Sequence, residues 1–227
     1  MKRVFRIVLY ILVFHLLVFG LTMCSLDRYT TKAFKKAQQE KPYDVVIVPG
    51  VPYDSVEIGT VFKARILWAK FLYDSGFTKN IIFSGSAVYS PYFEGSVMKT
   101  IADSLGIPSS HTFSEIKAEH STENIYYSWK MAKGMGFSKI ALATDPFQSI
   151  LLRGFGKKYC KGVGEVPMVY DKLDISKPLP TVNPSKSYKV GFVSIKDREG
   201  FWKRFQGTWG GRVVKEFEKD HPAGSNE

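Results

Sequence analysis

Residues 117–153 read KAEHSTENIYYSWKMAKGMGFSKIALATDPFQSILLR, and this stretch decides the fold class. Its first part predicts a helix, because helix-starting residues at 121–124 precede apolar residues at helical spacing and a G-M-G sequence follows. The apolar run at 140–143 predicts a short buried strand, which Asp145 and Pro146 end before a second helical pattern. Helix, strand, polar turn and helix in this order are typical of a parallel α/β sheet.

The same alternation of buried strands and amphipathic helices precedes this stretch. The predicted strands lie at 44–49, 80–83 and 112–116, and the predicted helices at 59–75 and 94–105. A fifth strand is predicted at 166–170, and the proline-bearing segment 171–188 predicts a long surface loop. The sequence therefore predicts a Rossmann-like α/β domain of three layers with a mostly parallel sheet, over residues 43–215.

The C-terminal segment 196–212 interleaves basic and aromatic residues in the sequence KDREGFWKRFQGTWGGR. Two interpretations of this segment stay open at this point. It forms an amphipathic helix that closes the core, or a basic-aromatic patch that rests on lipid head groups. Residues 216–227 are predicted to form a disordered tail.

Composition limits the size of the fold and the class of partner. The chain has 227 residues, of which 44% are hydrophobic, enough for one sizeable core. The net charge of +11 indicates an anionic partner, either a phosphate-bearing molecule or a phospholipid surface. Nucleic acid is not expected, because zinc-finger cysteines and an RNA-binding aromatic motif are missing from the sequence. No disulfide is expected between Cys24 and Cys160, because Cys24 borders an apolar segment.

That apolar segment, residues 7–23, carries no charge and follows a basic N-terminus. We expect residues 1–26 to form a single N-terminal transmembrane helix that anchors the chain. A lipoprotein signal that ends at Cys24 and a cleaved signal peptide are the alternatives. All three put the domain on the extracytoplasmic side of the bacterial cytoplasmic membrane. Residues 27–42 are expected to form a linker, either a stalk or a helical lead-in.

Four polar turns are expected to meet at one edge of the sheet, where parallel strands end. Three follow strands and one opens a helix, and backbone N–H groups at such turns favour an anion. One cleft is predicted to contain Gly50, Ser84, Ser86, Glu119, Thr122 and Thr144. The candidate ligand-binding residues are Gly50, Arg65, Ser84, Gly85, Ser86, Ser121, Thr122, Asn124, Thr144, Asp145, Gln148 and Arg153.

Several of these positions have two interpretations each. Arg65 and Arg153 are either a cationic clamp for the anion or ordinary helix-face arginines. Glu94 and Glu119 are candidate catalytic acid/base groups, with structural acids as the alternative. Ser121 or Thr122 either caps the helix start or leaves its N–H donors to an anion.

His120 is expected to be an exposed or capping residue, because adjacent residues seldom present a nucleophile–base pair. The sequence contains neither a P-loop, nor a G-x-G-x-x-G element, nor a metal-binding histidine cluster. We therefore expect no metal site, and the cofactor stays unknown.

With these residues in place, the chain resembles the YdcF/SanA/ElyC family, which includes the vancomycin high-temperature exclusion proteins and envelope-biogenesis factors. The resemblance covers residues 44–169 and rests on E-H-S-T-E-N at 119–124, the S-G-S turn at 84–86 and T-D-P-F at 144–147. It implies a Rossmann-like fold, an N-terminal anchor and a role in the envelope barrier, peptidoglycan or lipid-carrier metabolism. One branch of that family is reported to bind S-adenosylmethionine.

The chain departs from the pattern of that family after the aromatic residue of the T-D-P-F turn. Gln148 occupies the usual histidine position, and Leu151 occupies the usual arginine position.

Three functions follow from the sequence as hypotheses. The first is binding, or binding and processing, of a phosphate-bearing envelope precursor such as a polyprenyl-phosphate carrier. The second is a nucleotide or S-adenosylmethionine binding module. The third is a non-catalytic envelope scaffold, which the missing histidine favours.

Overall fold

A five-stranded parallel sheet forms the centre of the protein in the computed structural model, which describes residues 2–54 and 58–220. The strands are β1 (Val45–Pro49), β2 (Ile81–Ser84), β3 (Thr112–Glu115), β4 (Ile140–Leu142) and β5 (Gly164–Glu165). Their order across the sheet is β3-β2-β1-β4-β5, and each neighbouring pair is parallel. The first four strands lie within one or two residues of their predicted positions.

Helices cover both faces of this sheet. They are α1 (Lys2–Glu40), α2 (Thr60–Asp74), α3 (Glu94–Ser104), α4 (Ser121–Gly134), α5 (Pro146–Tyr159), α6 (Ile195–Arg198), α7 (Phe201–Thr208) and α8 (Gly211–Asp220). Val46 and Val48 of β1 pack with α2 and α3, whereas Val45 and Ile47 pack with α4 and α5. Because successive strand residues point to opposite faces, this alternation buries β1 on both sides. The Rossmann-like α/β architecture of three layers is thus confirmed.

The strand order places a topological switch point between β1 and β4. From β1 the chain winds outward through β2 to β3, and α4 then carries it back across the sheet to β4. Ligands of open α/β sheets bind in the crevice outside the carboxyl ends of the strands at such a point. The turns after Pro49 and Leu142 therefore border the position where a ligand is expected.

Helix α1 has an exposed apolar half and a half that packs on the domain. Phe34 and Ala37 are buried, so the linker predicted at 27–42 is a helical lead-in up to Glu40. The exposed apolar side chains of the first half include Phe5, Leu9, Tyr10, Ile11, Leu12, Val13, Phe14, Leu17 and Val18. Within the described ranges, no helix combines the length and apolarity that a membrane crossing requires. The transmembrane anchor expected at 1–26 stays a prediction.

The fifth strand differs from its predicted position at 166–170. Strand β5 ends at Glu165, and the chain then continues beside β4 without forming a regular ladder. Val166 N–H donates to Leu142 O at 2.8 Å and Met168 N–H donates to Thr144 O at 2.8 Å. Pro167 lies between them at a position whose N–H would face away from β4, so the proline is tolerated there without loss of a hydrogen bond to that strand.

Segment 171–188 is irregular, as predicted, but it is not only a surface loop. Its apolar side chains pack partly buried against the α2 and α3 side of the core, at Leu173, Ile175, Leu179 and Val182. The segment also forms a short 3-10 turn at Pro184–Ser187, which packs on α3. Apolar residues of this proline-bearing segment thus cover the core, although most of its backbone is irregular.

The C-terminal segment forms three short helices and not the single amphipathic helix that was one of the two interpretations of 196–212, although Val213 of this segment does pack in the core. Gly200 precedes α7, and Gly210 separates α7 from α8 with a φ of +93°, a conformation that favours glycine. Helix α8 continues to Asp220, so residues 216–220 are helical and not part of a disordered tail. The rest of the predicted tail, 221–227, lies outside the described residues.

Candidate functional site

Arg65 on α2 joins the ends of the two strands at the switch point. Its Nη1 donates to the carbonyl oxygens of Pro49, at 3.0 Å, and Gly50, at 2.8 Å, and its Nη2 donates to Asp145 Oδ2 at 2.6 Å. The side chain is buried, and Asp145 also caps α5 by accepting from the Gln148 N–H at 2.9 Å. A ligand phosphate would have to displace these contacts, so the geometry favours a structural role for Arg65.

Ser84, at the end of β2, lies in a buried network with Glu115 and Asn124. The Ser84 hydroxyl is 2.5 Å from Glu115 Oε2 and 2.8 Å from Asn124 Oδ1. A hydroxyl has one proton, so Ser84 can donate to only one of these two groups at a time. Burial raises the pKa of Glu115, against hydrogen bonds from Ser84 and the main chain that lower it. The network holds β2, β3 and α4 together, and the sequence reasoning had not identified Glu115.

Glu94, the first residue of α3, is 5% exposed and lies against two of the predicted glycines. A Cβ atom on Gly50 would lie 2.6 Å from Glu94 Oε2, and one on Gly85 would lie 3.0 Å away. Burial raises the pKa of Glu94 to about 8, which the Arg65 guanidinium opposes only in part. At neutral pH Glu94 is therefore a protonated carboxyl at the sheet edge, which is what a general acid requires.

The pKa of Glu94 predicts a stability difference that depends on pH. The contribution of its protonated form is fully present below pH 4.5 and is lost as the pH rises toward 8. Glutamine cannot ionise, so it lacks this pH dependence. We therefore expect the free energy of unfolding of Glu94→Gln to rise by roughly 2 kcal/mol relative to that of wild type as the pH is raised from 5 to 7. Urea unfolding of both proteins at each pH measures this difference. If the difference in free energy of unfolding between the two proteins stays constant from pH 5 to pH 7, Glu94 is already ionised in the folded protein over that range.

The E-H-S-T-E-N element is covered by the C-terminal helices. The Glu119 carboxylate pairs with Arg198 at 2.7 Å and with Arg212 at 3.0 Å. Burial raises the pKa of Glu119, but the hydrogen bonds from both arginines outweigh burial and leave it below the ordinary value. The Thr122 hydroxyl donates to Gly207 O on α7 at 3.0 Å. The structure therefore engages the side chains of Glu119 and Thr122 with the C-terminal helices.

Glu123, in the first turn of α4, fixes the main chain that leads into the helix. Its carboxylate is 1% exposed and accepts the Glu119 N–H at 2.8 Å. His120 occupies the cap position, and the structure gives its side chain no capping bond. Of the two interpretations of Ser121 and Thr122, the structure does not show the cap: both residues lie inside the first turn of α4, and the Thr122 hydroxyl donates to Gly207 O instead.

His120 is buried, so the expectation of an exposed histidine is also wrong. Its Nε2 lies 3.6 Å from Glu199 Oε2, and Gly207 packs directly on the imidazole ring. A Cβ atom on Gly207 would lie within 2.6 Å of three ring atoms. Burial lowers the pKa of His120 to about 4, so the ring is neutral at pH 7. The ring serves as a packing surface for α7.

A cavity of about 360 Å³, which we name the strand-edge cavity, opens between α4, α5 and the C-terminal helices. Its polar lining is Ser121, Thr122, Gln148, Lys158 and Thr208, and its apolar lining includes Leu151, Leu152, Phe155, Tyr159 and Trp209. Gln148 accepts from the Thr144 hydroxyl at 2.5 Å and donates to Ser121 Oγ at 3.4 Å. The structure thus brings Ser121, Thr122 and Gln148 to one cavity, with Thr144 in contact.

The surface near this cavity is unusually apolar. Trp209 and Leu151, which line it, are 63% and 49% exposed, and Phe147 lies one helical turn from Leu151 and is 68% exposed. Phe201 and Trp202 on α7 are exposed as well. Large exposed apolar patches mark protein or membrane contacts and ligand grooves. The sequence offered a patch as one of two interpretations of the aromatic residues of α7 and did not connect them with the strand edge.

The remaining candidates lie elsewhere. Arg153 is beside α1, with its Nε 3.3 Å from Glu165 Oε1 and its guanidinium over the Tyr29 ring. Ser86 is buried, and its N–H donates to Ala118 O at 2.7 Å, which fixes the turn after β2. The structure does not bring Arg153 together with the strand-edge residues.

Neither a metal nor a relative identifies the site. In the described part of the chain, no cluster of three or more His, Cys, Asp and Glu side chains is arranged to hold a metal ion. Comparison with protein-family profiles, with curated proteins and with solved structures found no match.

Proposed function

We propose that this chain is a membrane-anchored protein of the cell envelope that binds a phosphate-bearing amphiphile, such as a polyprenyl-phosphate carrier, in the strand-edge cavity. One observation carries the proposal. The cavity is lined by donors at the starts of α4 and α5, by the Lys158 ammonium near the end of α5, and by apolar side chains between them. A ligand that fits this lining needs an anionic head and a hydrocarbon chain.

The polar side of the cavity suits a phosphate group. It lies at the start of α4, where the helix dipole favours negative charge. Ser121 supplies a hydroxyl there and Gln148 an amide. Lys158 lies near the other end of α5 and adds a positive charge to the same cavity. Lys158 binds as a point charge, so the geometry does not require the arginine that Leu151 replaces.

The apolar side suits a polyprenyl chain. Leu151, Phe155 and Trp209 form its wall, and the volume of about 360 Å³ is at the lower end of the range of roughly 300–1,000 Å³ for small-molecule sites. A phosphate and the first isoprene units fill such a volume. The rest of the chain would extend over the exposed aromatic residues of α7, which suit a membrane interface.

Membrane attachment is supported by the exposed apolar half of α1 and by the net charge of +11. The resemblance to the YdcF/SanA/ElyC family belongs to the same proposal and extends it to the envelope barrier or peptidoglycan metabolism. The nucleotide or S-adenosylmethionine module is the weaker alternative, because an apolar wall offers little to a ribose. The scaffold alternative requires no ligand in the cavity.

Binding of a short-chain polyprenyl monophosphate to the full chain in detergent micelles tests the proposal. We expect Lys158→Gln to weaken binding about tenfold through loss of a charge-assisted hydrogen bond. Trp209→Ala is expected to weaken binding by a similar factor through loss of apolar contact. Isothermal titration calorimetry measures both, with the exposed Lys133→Gln as the charge-matched control.

Three outcomes separate the alternatives. Polyprenol that binds as tightly as its phosphate would contradict the role given to Lys158. S-adenosylmethionine or a nucleotide that binds in place of the amphiphile would favour the module hypothesis. Failure of all these ligands to bind would favour the scaffold.

A further inference from the structure

A second cavity, which we name the α1 groove, lies between the second half of α1 and α5, next to β5, with a volume of about 790 Å³. Basic side chains from two elements line it, namely Arg28, Lys32, Lys35 and Lys36 from α1 and Arg153 and Lys157 from α5. Its apolar lining includes Ile125, Leu142 and Leu152. The α1 groove is thus a basic channel over an apolar floor.

The two acids of the α1 groove are already matched by neighbouring groups. Glu165 accepts from the Tyr29 hydroxyl at 2.7 Å and pairs with Arg153 at 3.3 Å. Glu40 pairs with Lys36 at 3.5 Å and accepts from the Tyr43 hydroxyl at 2.9 Å. The other four cations, Arg28, Lys32, Lys35 and Lys157, form no ion pair with any described residue. The groove therefore has an excess of positive charge available to an anion.

The wall formed by α1 is fixed against the domain. Phe34 is buried and packs on Trp68 and Phe77, with ring centroids 5.8 Å and 5.2 Å away. The Tyr29 hydroxyl contacts Ser149 Oγ on α5 at 2.7 Å as well as Glu165. These contacts hold the basic side chains of α1 opposite α5, so the groove exists before any ligand arrives.

The position of the α1 groove along α1 indicates where its ligand comes from. At a rise of 1.5 Å per residue, Arg28 lies about 8 Å and Lys32 about 14 Å beyond Met23, the end of the apolar run. The head-group region of a bilayer extends roughly 5–8 Å beyond the hydrocarbon on each side. With the apolar half of α1 in a membrane, Arg28 and the neighbouring part of the groove lie at or just outside the lipid phosphates.

We infer that the α1 groove binds the phosphate of an anionic glycerophospholipid from the membrane that holds α1. The lipid phosphate lies among the unpaired cations, and the upper part of its acyl chains continues along the exposed apolar side of α1. The inference rests on the membrane attachment proposed above, but it concerns a different cavity and a different lipid from the strand-edge cavity. A lipid bound in the α1 groove would fix the orientation of the domain relative to the membrane.

The full chain in phosphatidylcholine nanodiscs with spin-labelled phosphatidylglycerol tests this inference. Electron paramagnetic resonance gives the association constant of the labelled lipid relative to phosphatidylcholine. For the combined variant Arg28→Gln, Lys32→Gln and Lys157→Gln, we expect at least a tenfold decrease, because each cation near an anionic surface contributes roughly a factor of five. The control variant Lys133→Gln, Lys186→Gln and Lys219→Gln removes the same charge elsewhere and should match wild type.

Each outcome supports or overturns the inference. A wild-type preference for phosphatidylglycerol that only the groove variant loses supports it. Equal loss in both variants would overturn the site, and displacement by inorganic phosphate as effective as by phosphatidylglycerol would assign the groove to free phosphate. A carbonate wash of wild-type membranes comes first, because release of the chain there would refute membrane attachment itself, independently of the groove.

Discussion

Gly95→Ala is expected to destabilise the domain by about 3 kcal/mol or more, with loss of the cooperative unfolding transition in the extreme case. Gly95 lies in the first turn of α3, where the helix packs directly on the ends of β2 and β3. An added Cβ would lie 2.6 Å from Phe83 O and 2.8 Å from Glu115 O, and both of these atoms belong to the main chain. Because strand carbonyls cannot rotate away as a side chain can, the helix or the strands must shift.

Gly134→Ala is the control for this substitution. Gly134 is the last residue of α4, and nothing lies within 4 Å of the Cβ position. We expect this variant to be neutral or more stable by about 0.5–1 kcal/mol, as for an exposed helical glycine. Chemical denaturation measures both variants. Equal stability of the two would mean that α3 does not contact the strand ends as closely as described.

Asp145→Asn is expected to destabilise the protein by about 3 kcal/mol, because it leaves the buried Arg65 guanidinium without its counter-charge. Asp145 Oδ2 accepts from Arg65 Nη2 at 2.6 Å, and the two side chains are 15% and 4% exposed. Asparagine still caps α5, so the loss measures the ion pair and not the cap. Thermal and urea unfolding of the variant measure this loss.

The exposed pair of Lys70 and Asp74 on α2 is the control. It has a comparably short separation of 2.5 Å, but the Asp74 side chain is 52% exposed. Asp74→Asn is expected to change the free energy of unfolding by less than about 1 kcal/mol. A loss from Asp145→Asn no larger than that would contradict the account in which Arg65 joins β1 to β4.

The local pattern of the sequence was sufficient to predict the sheet. Val45 to Val48 are apolar without alternation, which only a strand buried on both faces explains, and the glycines and Asp145-Pro146 mark where elements end. Convergence of Ser84, Thr144 and Gly50 at one edge follows from parallel strands alone. The fifth strand shows the limit of this reasoning, since the apolar residues around Pro167 suggested a strand at 166–170, whereas the regular ladder ends at Glu165 and only alternate N–H contacts to β4 continue beyond it.

The sequence could not predict which partners the side chains of the site contact, because those partners lie far away in the sequence. Glu119 pairs with Arg212, which is 93 positions further along the chain, and Thr122 contacts Gly207, 85 positions away. Neither partner has a local signal that distinguishes it from the other basic or small residues of the segment. The sequence therefore indicated that residues 119–124 matter, but not that the C-terminal helices cover them. Lys158 and Phe155 of the strand-edge cavity were missed for the same reason.

Photo-crosslinking tests the central claim, a polyprenyl phosphate in the strand-edge cavity, most directly. A photoreactive analogue of the phosphate is bound to the full chain in nanodiscs, irradiated and located by peptide mass spectrometry. The account predicts labels on Leu151, Phe155 and Trp209, suppressed by the unlabelled phosphate but not by the corresponding polyprenol. Labels confined to α1, or labels that both competitors suppress equally, would contradict it.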